Sequence, residues 1–196
     1  MNNQNKVVFL DRDGTINIDE RGYISSPEKF DVYPFAAEAI SVLNKLGYKI
    51  IVVTNQSGIA RGFYTEQDLI KIHKKMEQQL AEGDAFTDEI YFSPCHSEGH
   101  VLPYNIDDED RKPGLGMFRK ALKEFNFDIR KSFMVGDRYS DIAFGKKAGL
   151  KTILVRTGFG EKEFLQNRKT REFKPDFVVK DLLSAANLIK EIEDKL

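Results

Sequence analysis

The stretch "KVVFLDRDGTIN", residues 6–17, decides the fold. Four consecutive apolar residues, Val7 to Leu10, run straight into two carboxylates one residue apart, Asp11 and Asp13. A short run that is continuously apolar, rather than alternating, is what a strand covered on both faces requires. Carboxylates at its C-terminal end fall on the rim where open parallel sheets bind their ligands.

Working outward, the same apolar texture recurs at Lys49–Val53, Glu89–Phe92, Ser132–Val135, Thr152–Val155 and Asp176–Val179. Helical spacing fills the gaps between these runs. Ala36, Ala39, Ile40 and Leu43 share one face, and Gly47 stands where a helix ends. Leu69, Ile72, Met76 and Leu80 share another, behind a Thr65–Asp68 pair that reads as a capping box. Further helices are expected at about 115–125 and 141–148 and after Asp181, the last with Leu182, Ala185, Ile189, Ile192 and Leu196 on one face. Strand–helix–strand repetition predicts a three-layer, Rossmann-like α/β fold around a central, mostly parallel sheet. One domain over residues 1–196 is expected, with irregular segments at about 14–34, 93–114 and 156–174.

Composition narrows the function classes. Thirty basic and 31 acidic residues give a formal net charge of -1, so nothing resembles a nucleic-acid footprint. The longest single-sign concentration is "IDDED" at 106–110. No apolar run approaches the ~20 residues that span a bilayer, and residues 1–6 lack the apolar core of a signal peptide. A single cysteine, Cys95, permits no intrachain disulfide and suits a cytoplasmic, reducing compartment. A monomer acting on a small molecule is the expectation.

Chemistry-bearing residues collect where strands end. Asp11 and Asp13 follow the first strand, Thr54-Asn55-Gln56-Ser57-Gly58 the second, and Gly136-Asp137-Arg138, with Asp141 a turn later, the fourth. Arg111-Lys112-Pro113 precede the third long helix. Taken singly, each is ordinary turn or cap vocabulary. Together, with the first strand central, they converge on one crevice. Three carboxylates crowded there favour a hard divalent cation such as Mg²⁺. Lys112, the Thr54 hydroxyl and backbone N–H groups near Gly14 and Asn55 suit phosphate oxygens. One carboxylate is then free to attack and another to move protons.

Asp11-x-Asp13-Gly14-Thr15, Thr54, Lys112 and Gly136-Asp137-x3-Asp141 resemble, in order, the four motifs of the haloacid dehalogenase (HAD) superfamily. "FLDRDGTIN", "VVTNQSGIARG", "DRKPGLGM" and "MVGDR" are similar to its histidinol-phosphate and heptose-bisphosphate phosphatase branch, and "VVTNQSGIARGFYTE" with "VRTG" favours the heptose side. The resemblance implies a Mg²⁺-dependent phosphomonoesterase of carbohydrate metabolism, serving lipopolysaccharide precursors and acting on a small phosphorylated sugar. By the same resemblance Asp11 is the nucleophile and Asp13 the general acid and base, which needs its carboxyl protonated beside the substrate. Mg²⁺ would sit on Asp11, Asp137 and the backbone carbonyl of Asp13. Thr54 and Lys112 would stabilise the phosphoryl group, with Arg138 and Asp141 behind them. Arg12, Asp19, Glu20, Arg21, Gly22, Asn55, Gln56, Ser57 and Arg111 would face the substrate. The segments 16–53 and 93–111 leave no room for a large cap domain, so an open site is expected.

One part of the family pattern is broken. Members commonly carry a structural zinc on Cys-x-His and Cys-x-Cys pairs, but the matching positions here are Ser93 and Cys95, then Asp108 and Asp110. Closed zinc sites want four N/S ligands, so no structural zinc is expected. Cys95, His96 and His100 nevertheless lie close in sequence, and a rearranged metal site there is the alternative. His73, on the apolar side of its helix, reads as packing. Two other functions compete: histidinol-phosphate phosphatase, and a phosphoacceptor receiver module. Asp13 argues against the receiver, because a second carboxylate two residues beyond the nucleophile hastens dephosphorylation.

Overall fold

The structure is a computed structural model and describes residues 5–19, 22–166 and 172–195. Among the described residues, twelve strands and α-helices alternate. They are β1 (Lys6–Leu10), α1 (Ala36–Lys45), β2 (Tyr48–Asn55), α2 (Glu66–Ala81), β3 (Glu89–Ser93), α3 (Gly116–Phe125), β4 (Phe133–Gly136), α4 (Tyr139–Ala148), β5 (Lys151–Val155), α5 (Gly160–Gln166), β6 (Phe177–Val179) and α6 (Leu182–Glu193). The six strands form one sheet in the order β3-β2-β1-β4-β5-β6, every pair parallel. The strand order reverses at β1, which puts Asp11 at the switch point, the crevice such sheets offer a ligand.

Alternation along β1 divides the core. Val8 and Leu10 join one apolar cluster with residues of α1, α2 and α6, and Val7 and Phe9 join another with residues of α3 and α4. Phe9 is fully buried and its ring meets Phe127 at 5.6 Å and Phe144 at 6.1 Å, both edge-on. Replacing Phe9 by Ala removes the hub of this aromatic group and should cost about 3–5 kcal/mol. A lower urea midpoint at unchanged m checks this.

Local chemistry explains the helix boundaries. The Thr65 hydroxyl accepts from the Asp68 N–H and the Asp68 carboxylate accepts from the Thr65 N–H, so the capping box expected from sequence forms. Gly47 has φ +81, the left-handed value that ends α1. Within the segment expected to be irregular, α5 is a helix. It has only seven residues, carries Glu161 and Glu163 in its first turn, and is tied by an Arg156–Glu161 ion pair to the residue that follows β5. Too short for a repeating apolar face, it left no periodic signal. Leu196 lies outside the described residues. His73 is buried with its ring edge-on to Phe92, as packing requires, and burial pushes its imidazole down to about 3. Among the described residues, no helix is long and apolar enough to cross a membrane.

Candidate active site

The chain leaves β1 in a tight loop. The Asp11 N–H still donates to Val135 of β4, while the carbonyl of Arg12 accepts from the N–H groups of Ile16 and Asn17. Gly14 takes φ +78, and a Cβ there would overlap Asp137 Oδ2 and crowd Gly158. The glycine is required because a side chain would occupy the space of the Asp137 carboxylate. Thr157 closes the loop from above by donating its hydroxyl to the Gly14 carbonyl at 2.6 Å.

Three buried carboxylates meet beside this loop. Asp11, Asp137 and Asp141 each offer an oxygen within 4.8 Å of the others, and among the described residues no other group of His, Cys, Asp and Glu does so. Lys112 is inserted between two of them, 2.8 Å from Asp11 Oδ1 and 2.7 Å from Asp141 Oδ1. One ammonium cannot neutralise three anions. Burial, with repulsion from Asp141, pushes the Asp11 carboxyl up to about 7, and burial with repulsion from Asp11 raises Asp137 well above the usual carboxylate range. Asp137 Oδ2 accepts from the Phe159 N–H at 2.7 Å, whereas its buried Oδ1 has no hydrogen-bond partner. An orphaned carboxylate oxygen among crowded acids fits a hard divalent cation.

Asn55 brings the lysine here. Its side-chain amide accepts from the Lys112 N–H at 2.9 Å and donates to the Lys112 carbonyl at 3.1 Å, clasping a residue 57 positions away. Asp141 Oδ2 accepts from the Arg138 N–H at 2.9 Å, which starts α4 and leaves the other oxygen for Lys112. Asn55 and Asp141 therefore hold Lys112 from both ends.

Asp13 lies apart from the acid cluster. Its carboxylate accepts a forked pair of bonds from the almost fully buried Arg12, with Gln56 Nε2 at 2.8 Å and Asn17 Nδ2 at 3.1 Å. Burial alone would raise its pKa, but these donors outweigh it and hold Asp13 below the ordinary carboxylate value. Asp13 is thus ionised in the substrate-free protein, where the sequence led us to expect a proton for the substrate-bound state. Arg12 and Gln56, expected on the substrate, direct these bonds to Asp13.

Around these groups opens a cavity of about 520 Å³, lined among others by Thr54, Ser57, Gly22, Asp19 and three arginines, Arg61, Arg111 and Arg138. Arg138 stacks 3.7 Å from the Phe159 ring centre and lies 3.8 Å from Asp19. Burial, and repulsion from Arg61 and Arg138, lower the Arg111 guanidinium pKa, although Tyr23 opposes the shift. Burial and repulsion from Asp13 push Asp19 up to about 6. Glu20 and Arg21 lie outside the described residues. Tyr23 and Phe63 stack with ring centres 4.5 Å apart, joining the loops that follow β1 and β2. Among its described residues, the β1–α1 connection holds one short 3₁₀ turn, Pro27–Lys29, and no α-helix or strand.

The altered zinc positions are occupied by hydrogen bonds. Buried Ser93 donates to Asp108 Oδ2 at 2.8 Å, Asp108 Oδ1 accepts from the Asp110 N–H, and Asp110 pairs with Lys120. Arg111 Nη1 donates to the Cys95 carbonyl at 3.3 Å. His96 Nδ1 accepts from the Glu98 N–H at 3.1 Å, and Gly62 lies beside His100. Among the lining residues that the sequence does not place at the site are Arg61, Tyr64 and Phe159. Each belongs to a stretch quoted for its resemblance or lies next to one, but loop geometry, which periodicity does not carry, decides which side chains turn inward.

The family model described as "HAD-hyrolase-like" matches residues 110–185. The D-glycero-D-manno-heptose-1,7-bisphosphate 7-phosphatase of Chlorobaculum tepidum is 40% identical over 185 residues, covering 92% of each chain. The D-glycero-beta-D-manno-heptose-1,7-bisphosphate 7-phosphatase of Pasteurella multocida is 39% identical over 96% of this chain and 98% of its own. The D,D-heptose 1,7-bisphosphate phosphatase of B. bronchiseptica, crystallised with magnesium and phosphate, superposes with a TM-score of 0.83 at 30% identity, covering 95% of this chain and 99% of that one.

Proposed function

Because the chain belongs to the heptose-bisphosphate phosphatase family of HAD-like hydrolases, and is a phosphatase, we propose that it removes the 7-phosphate of D-glycero-D-manno-heptose 1,7-bisphosphate through a phosphorylated Asp11. The observation that carries the substrate is the 40% identity spread over 92% of both chains. The wall of Arg61, Arg111 and Arg138 supports it, since a bisphosphate brings a second anion that such a wall suits.

Asp11 would attack phosphorus while Lys112, held by Asn55 and Asp141, and Thr54 stabilise the transferring oxygens as charge develops. Bringing a phosphate dianion beside Asp13 raises its pKa, so its proton is taken up as substrate binds. Asp13 would then give that proton to the leaving alcohol and later take one from the attacking water. Asp11, Asp137 and the Asp13 carbonyl would hold Mg²⁺, which when bound neutralises phosphate charge and orients it. Asp141 would act through Lys112, and Arg111 on the sugar's far phosphate.

Phosphate release with Mg²⁺ across the two anomers of heptose 1,7-bisphosphate, heptose 7-phosphate and histidinol phosphate tests this. The bisphosphate should lead heptose 7-phosphate in kcat/KM by about tenfold or more, the worth of one charge-assisted contact. Faster turnover of histidinol phosphate would overturn the substrate assignment.

A further inference from the structure

We propose that Tyr64 is a positioning residue for Asp13, acting through the side-chain amide of Gln56. The inference rests on the roles just proposed for Asp11 and Asp13. Tyr64 is buried, and its hydroxyl donates to Gln56 Oε1 at 2.6 Å. Arg12 Nη2 donates to the same oxygen at 3.2 Å. Two donors on Oε1 fix which way the amide faces. Gln56 Nε2 then donates to the acceptor-only Asp13 Oδ2 at 2.8 Å and to Thr54 Oγ1 at 2.8 Å. The opposite amide orientation would set an oxygen against the Asp13 carboxylate and an NH₂ against the Arg12 guanidinium. The chain from hydroxyl to amide to carboxylate thus runs in one direction, with Thr54 as its anchor on β2.

What holds the phenol in place is also visible. Tyr64 immediately precedes Thr65, the N-cap of α2, and its ring clusters with Ile59 and with Leu69 in the first turns of that helix. That contact, between the residue before an N-cap and the fourth helical residue, is a hydrophobic staple. Gly58 leaves room for the ring, because a Cβ there would overlap it. The aromatic body of Tyr64 therefore serves the fold, and its hydroxyl serves Asp13. Tyr64→Phe separates the two.

Leaving-group dependence supplies a readout that a purely structural role would not move. An alkoxide leaving a sugar phosphate needs a proton from Asp13, whereas 4-nitrophenolate scarcely needs one. Tyr64→Phe, with unchanged thermal unfolding, should lower kcat/KM, which ends at leaving-group departure and excludes the water step both esters share, by roughly 10–100-fold on the sugar phosphate and by less than about threefold on 4-nitrophenyl phosphate, as expected of a mispositioned acid. Gln56→Met should show the same selectivity, and the double variant should be no worse than Gln56→Met alone. Equal losses on the two esters, or additive losses in the double variant, would overturn the proposal. Asp13→Asn is measured alongside. If it shows no discrimination between the esters, the acid role of Asp13 fails, and this inference fails with it.

Discussion

Asp11→Asn should reduce phosphate release by about 10⁵-fold or more while the protein remains folded, as expected when a nucleophile is removed. An Asn oxygen can still accept from the Arg12 N–H, as Asp11 Oδ1 does at 2.8 Å, and from Lys112. The substitution also removes one negative charge from a buried cluster in which Lys112 is the cation between Asp11 and Asp141. Thermal unfolding in the absence of metal should therefore occur at the wild-type temperature or higher. Appreciable turnover by this variant would refute the assignment of Asp11.

The second large effect couples metal to pH. Burial raises Asp11 from 3.8 to about 7 and Asp137 in the same direction. Without metal, the folded protein keeps protons that the unfolded chain has released, so stability falls as pH rises from about 4 to about 7. Asp13, shifted the other way, contributes stability that is lost only below its ordinary value, outside that window. Mg²⁺ needs both carboxylates ionised. Its affinity should climb roughly tenfold per pH unit for each proton displaced, less steeply above about pH 7 as Asp11 ionises. Calorimetric titrations at pH 6, 7 and 8 in buffers of different ionisation enthalpy would count those protons. An affinity independent of pH would contradict the shared site, and Asp137→Asn should bind Mg²⁺ at least about tenfold more weakly.

The parts of the fold that could be read from sequence are those set by local rules. Continuous apolar runs such as Val7–Leu10 mark doubly covered strands, and Thr65 with Asp68 marks where α2 begins. The carboxylates at strand ends could be placed because a parallel sheet gathers its C-terminal edges on one rim. The short helix α5 could not, since seven residues hold too little periodicity to announce themselves. Nor could the pairing of Asp13 with Arg12. Adjacent residues in a loop point wherever its φ and ψ send them, and here both meet Gln56. Asn55 illustrates the same limit. Its position at the end of β2 suits backbone N–H groups to phosphate oxygens, but what its side chain does, clasping the backbone of Lys112 57 residues away, is not local information. Recognition by motif singles out the groups proposed to react, and three-dimensional contacts show what orients them.

Phosphorus stereochemistry tests the proposed covalent step most directly. A sugar or aryl phosphorothioate made chiral at phosphorus with one oxygen isotope would be hydrolysed with Mg²⁺ in water carrying a third oxygen isotope, and the configuration of the released thiophosphate determined. Transfer to Asp11 and then to water is two in-line displacements, so overall retention is predicted. Inversion would mean that water attacks phosphorus directly and that Asp11 is never phosphorylated.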